Sequence, residues 1–188
     1  MSNAILSSDG TPLREHGHYA SQLRFWVTGQ PRPKGSWRPI TIQTKAGPRA
    51  RLLPDNKRSE PWAMLVHFEA KRAAEHNAAF PTPKGTPVAV SIVFQFERPK
   101  CHYRTGKHAH ELRPDAPAIP TGGPDLDKLV RNVLDAMTGI AYADDKQVSS
   151  IHTEKAYGRS AGASFNVRTR SKRDAAILVE ANENKERA

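Results

Sequence analysis

With 188 residues, 20.8 kDa and a single cysteine, Cys101, the chain has the length of one domain, and neither a disulfide framework nor a cysteine-rich zinc module is open to it. A net charge of +10 and a pI near 10 point to an acidic partner, nucleic acid ahead of an anionic membrane surface. No apolar run approaches the ~20 residues of a membrane span, and no signal-peptide core opens the chain, so it reads as a soluble, cytoplasmic protein with no membrane partner.

Residues 1–22 show no sustained periodicity and read as a flexible arm. A short apolar strand at 23–27 runs into Gly29-Gln30-Pro31-Arg32-Pro33-Lys34-Gly35, a basic loop punctuated by Pro and Gly. Ile40 and Ile42 alternate with threonine as a weak strand signal. Residues 24–58 hold nine basic side chains and one acid, Asp55, with Trp26 and Trp37 interleaved. That charge density reads as a phosphate-tracking surface, while the two tryptophans read as core. Ser59-Glu60-Pro61 opens a helix, and Trp62, Leu65, Val66, Ala70 and Ala73 carry its apolar face.

Val88, Val90, Ile92, Phe94 and Phe96 alternate with a second face that is also small or apolar, the pattern of a central strand. Residues 98–123 read as a long loop. His108 and His110 lie in it, and an irregular loop makes that pair a poor metal site. Leu126, Leu129, Val130, Val133, Leu134 and Met137 then trace one stripe of an amphipathic helix, closed by Thr138-Gly139. A strand is expected from 147 to 155 and a closing strand near 165–169. The tail at 171–188 reads as a frayed helix or disordered.

The chemistry concentrates at 123–148. Asp125 sits at the N-cap of the amphipathic helix, Asp127 in its first turn, and Arg131 one turn below Asp127 on the same face. Asp144-Asp145 stands just before the next strand. If that strand begins beside the helix N-terminus, four carboxylates converge. Their repulsion is then relieved by a hard divalent cation, Mg²⁺ with Mn²⁺ as a substitute, held by carboxylate oxygens. The plainer alternative makes them helix and turn caps, each worth about 0.3–1 kcal/mol, in a non-catalytic nucleic-acid-binding protein.

Asp125-Leu126-Asp127-x-Leu129, continuing to Leu134-Asp135-Ala136 and then to Gly139-Ile140-Ala141-Tyr142-x-Asp144-Asp145-x-Gln147-Val148, resembles the signature of the RusA family of Holliday junction resolvases, often carried by prophages. The V-x-G-x-P-x-P-K-G segment at 27–35, the strand at 88–96 followed by Pro99, the Lys155-Ala156-Tyr157-Gly158 stretch and the closing strand extend the likeness over about residues 23–170. The resemblance implies an α+β fold, a small mixed β-sheet with helices packed on it, forming a homodimer. It also implies Mg²⁺-dependent resolution of four-way junctions by paired symmetric nicks, in DNA recombination and repair. The family's catalytic aspartates fall on Asp125, Asp127 and Asp145, with Asp144 as a further metal ligand or orienting group. Where the family usually has Asn, this chain has Lys128, and where it has a lysine, this chain has Arg131, a planar fork in place of a compact ammonium. Arg131 is assigned to the charge developing on the phosphoryl group. Arg32, Lys34, Arg38, Lys128, Lys155, Arg168 and Arg170 are assigned to backbone phosphates.

Overall fold

The computed structural model describes residues 19–35, 37–54 and 58–170, so the expectations for 1–18 and 171–188 lie outside it. Six strands and two helices follow in the order β1 (Tyr19–Thr28), β2 (Trp37–Thr44), β3 (Gly47–Pro54), α1 (Ser59–Ala74), β4 (Val88–Glu97), α2 (Leu126–Met137), β5 (Val148–Gly158) and β6 (Gly162–Arg170). β1, β6, β4 and β5 form one sheet in that order, with β4 parallel to β5 and the other pairs antiparallel. β2 and β3 form a separate antiparallel hairpin. This is the expected α+β architecture with a small mixed sheet.

β4 lies inside the sheet, as its two apolar faces require, and its Val88, Val90, Ile92, Phe94 and Phe96 are all buried. Both helices cover that face. Trp62, Val66 and Ala70 come from α1, and Leu129, Val130, Val133 and Met137 from α2. Phe25 of β1 stacks on Phe165 of β6 at 4.7 Å between ring centroids, extending the core on this same face toward the β1 edge of the sheet.

Three expectations are corrected. β1 starts at Tyr19 rather than at residue 23, because Ser21 and Gln22 pair with Thr169 and Arg168 of β6, and backbone pairing needs no apolar side chain. Trp26 is not core: its residue number parity puts it on the sheet face away from the helices, 39% exposed, with Nε1 donating to Thr28 Oγ1. β3 was hidden in the basic block, since the exposed Arg49 and Arg51 break up its apolar pattern. The loop at 98–123 is partly ordered by two single 3₁₀ turns and by a bridge between Tyr103 and Leu112. In it His108 Nδ1 lies 2.9 Å from Glu111, which also pairs with Arg104, so the histidine pair serves the loop itself.

Candidate active site

α2 is the crossover between the parallel strands β4 and β5, and this decides where the carboxylates lie. A parallel connection must carry the chain back to the starting end of the sheet, so the crossover helix runs opposite to the strands it joins. The N-terminus of α2 accordingly sits toward the C-terminal end of β5, where Lys155 Nζ donates to the Pro124 carbonyl at 3.5 Å. At the other end, Tyr142 turns back under the helix and its hydroxyl donates to the Leu134 carbonyl at 2.8 Å. Asp144-Asp145 follows and leads directly into β5.

The two acidic pairs therefore occupy opposite ends of α2, which with 12 residues is about 18 Å long. Their convergence within one chain, expected from the sequence, does not occur. Among the described residues no three of His, Cys, Asp and Glu are grouped to hold a metal ion.

At the first end, Asp125 has N-cap backbone geometry but makes no side-chain cap hydrogen bond. It pairs instead with Lys128 at 2.8 Å. The hydrogen bond and charge of Lys128, aided by Lys155, hold the Asp125 carboxyl below its usual range, so it is ionised at neutral pH. The pairing raises Lys128 in turn. Asp127 and Arg131 are both exposed on the adjoining surface of the helix.

At the second end the neighbouring aspartates divide their roles. Asp144 Oδ1 accepts from the Lys146 backbone N–H at 3.0 Å, and the Gln147 side chain accepts from the Asp144 N–H at 3.0 Å, forming a reciprocal cap. That backbone N–H is the main cause of the lowered Asp144 pKa. Asp145 is exposed and takes no part in the cap. It lies close enough to Tyr142 to oppose ionisation of the phenol, which burial already pushes up strongly, so the hydroxyl stays a donor. Asp144 is thus a hydrogen-bonded turn cap, whereas Asp125 stands at the helix N-terminus with no side-chain cap bond.

Among the cations assigned to DNA, Arg32 and Lys34 lie on a strap running along α2. The Arg32 carbonyl accepts from Asn132 Nδ2 at 2.9 Å, and the Lys34 N–H donates to the Lys128 carbonyl at 3.0 Å. The Lys34 ammonium pairs with Asp135. Arg170 Nη2 donates to Ser150 Oγ at 3.0 Å and stays half-buried, while the Arg38 side chain lies outside the described residues. Arg168 is corrected: it is only 9% exposed and donates to Ser91 Oγ, because β6 is flanked on both sides by other strands.

The sequence pattern assigned no role to Asn132, nor to Gln147 beyond its place in the signature. Asn132 is buried and bonds the Arg32 and Ser59 carbonyls, tying the strap and the start of α1 to α2. Gln147 Nε2 bonds the Pro83 and Thr86 carbonyls at 2.7 and 3.1 Å. An amide on the flank of an otherwise apolar helix, and an amide three residues after an aspartate, were the available signals.

A basic α+β chain with exposed carboxylates at both ends of one helix, and cations around them, has the composition of a nucleic-acid-processing protein with an oxygen-donor site. The family comparison makes this specific. The chain belongs to the RusA family: the model described as Endodeoxyribonuclease RusA matches residues 30–168. It is a Holliday junction endodeoxyribonuclease by that membership. No curated protein matches its sequence. No helix among the described residues is long and apolar enough to cross a membrane.

Proposed function

We propose that the protein resolves four-way DNA junctions as a homodimer, using Mg²⁺ held between the two chains. The observation that carries this reading is the separation of the acidic pairs. The donors are all carboxylate oxygens, as Mg²⁺ prefers, but among the described residues neither end of α2 gathers three of them. A twofold axis brings a different end of the same element from each chain to one place, twice over. Asp125 and Asp127 of one protomer would then meet Asp145 of its partner, in two equal sites, one for each strand to be cut. When bound, the ion polarises the scissile phosphate and acidifies a water molecule.

The chain's own residues supply the rest. Arg131, one turn below Asp127, places a permanent positive charge beside the site for the oxygens of the phosphoryl group. Asp144 holds the turn that presents Asp145. Arg32 and Lys34 on the strap, Lys155 at the helix N-terminus, and the exposed Lys45, Arg49 and Arg51 of the hairpin track backbone phosphates, positioning the DNA with little base readout.

The direct test is cleavage of a synthetic mobile four-way junction with Mg²⁺, beside EDTA and an Asp145→Asn variant. Paired symmetric nicks that require the ion and disappear in the variant support the reading. Binding without cleavage in Mg²⁺ or Mn²⁺ would favour a binding protein instead. Lys128 provides a second test, because its ammonium pairs with one oxygen of the Asp125 carboxylate and so competes with a cation for that carboxylate. Lys128→Asn is expected to lower the Mg²⁺ concentration at half-maximal cleavage several-fold. An unchanged Mg²⁺ titration would mean that Asp125 does not hold the ion.

A further inference from the structure

Beside the second acidic pair the surface opens into a cleft of about 400 Å³, whose lining includes Lys84, Thr86, Asp144, Lys146, Gln147 and Ser149. Its volume falls in the range of small-ligand sites, roughly 300–1,000 Å³. One wall is the turn at residues 81–87, and the other is the Asp144 turn together with the start of β5. Gln147 joins the walls through its bonds to the Pro83 and Thr86 carbonyls and to the Asp144 N–H. Thr82, fully buried, adds a backbone bond to the Ala141 carbonyl at 3.2 Å. The cleft is therefore preformed, and a ligand entering it orders little chain.

Its chemistry is cationic. Lys84 is exposed, and the Lys146 side chain is 87% exposed with its ammonium 4.0 Å from Asp144, a weak pairing in water. Lys84 and Lys146 both line the cleft together with Asp144, one on each wall. Two cations thus face one lining carboxylate, and that carboxylate already accepts a backbone N–H. At the rim, Gly85 has φ +83° and open space where a Cβ would stand, so a polyanionic backbone can approach the turn closely. Asp145, the carboxylate assigned to the reaction, is the neighbour of Asp144 on the same turn.

We propose that this cleft seats a backbone phosphate, with its attached nucleotide, from the DNA strand being cut, next to the phosphodiester that is hydrolysed. Lys84 and Lys146 are then positioning residues, holding the strand so that its reacting bond lies at Asp145. This deepens the junction-cleaving reading and rests on Asp145 belonging to the site.

The test separates the two. Junction binding is measured by fluorescence anisotropy in EDTA, over a series of salt concentrations, in an Asp125→Asn background that cannot cut. Adding Lys84→Gln and Lys146→Gln together is expected to weaken binding about tenfold at low salt and to reduce the slope of log K against log salt by about 2. Lys71→Gln, an exposed lysine of α1, should reduce that slope by less than 1. Junctions carrying one neutral methylphosphonate near the cut locate the contact. At one position the neutral linkage should weaken the parent yet add nothing in the double-lysine variant. Unchanged affinity and slope, or additive effects at every position, would overturn the cleft proposal while leaving junction binding intact. A parent that does not bind the junction would overturn both readings.

Discussion

Mixing the Asp125→Asn and Asp145→Asn proteins is expected to restore Mg²⁺-dependent nicking that neither shows alone. Each variant by itself should lose on the order of 10²–10³-fold or more in rate, the scale for removing one preorganised charge from a reacting centre. Sites built within one chain cannot recover on mixing, because every chain in the mixture still lacks one carboxylate. Sites built between chains behave differently. A mixed dimer then has one site missing both carboxylates and one site with both intact. With random exchange of subunits, half of the dimers are mixed, so about a quarter of all sites become active. The product also discriminates. One working site per dimer nicks a single strand of the junction, so paired symmetric resolution stays absent while nicked junctions accumulate. If subunits exchange but no nicking returns, the shared site is wrong and a single chain must assemble the ligands by a rearrangement of the Asp144 turn.

Asn132→Ala is expected to lower stability by about 2–3 kcal/mol, because it removes two hydrogen bonds and leaves the Arg32 and Ser59 carbonyls to find other donors in a half-buried seam. For a chain of this length the melting temperature should fall by about 4–12 °C. The same change loosens the strap on α2 at Arg32, while the Lys34 bond to the Lys128 carbonyl and the Lys34–Asp135 pair stay in place. Junction affinity should therefore drop even well below the melting transition, because Arg32 no longer starts from a fixed position. Thermal melts followed by circular dichroism, with anisotropy at 20 °C, check both parts. A full loss of stability with unchanged affinity would separate the strap from DNA binding.

Much of this protein is written in local patterns. The apolar stripe of α2 and the two-faced alternation of β4 are set by helical and strand periodicity, and both elements form where those patterns lie. Membership of the RusA family is also legible in the chain, in the linear motif that carries Asp125, Asp127, Asp144 and Asp145. The basic hairpin was legible as charge but not as structure, because its exposed arginines interrupt the alternation that marks a strand.

What the linear order could not state is which ends of these elements meet. Asp127 and Asp144 are close in sequence, and a local reading puts them together at one helix terminus. The parallel pairing of β4 with β5 sends α2 back along the sheet and leaves the two acidic pairs about a helix length apart. Parallel or antiparallel pairing is a choice between distant segments, made by the shared burial of β4, β6 and both helices. Likewise Arg168 looks like a surface cation by composition and becomes a sheet-face residue only because β6 is enclosed by β1 and β4. Side-chain chemistry is thus carried by the sequence itself. Whether two charges act on the same phosphate depends on strand order and connection geometry, which exist only once the long-range hydrogen bonds of the sheet have formed.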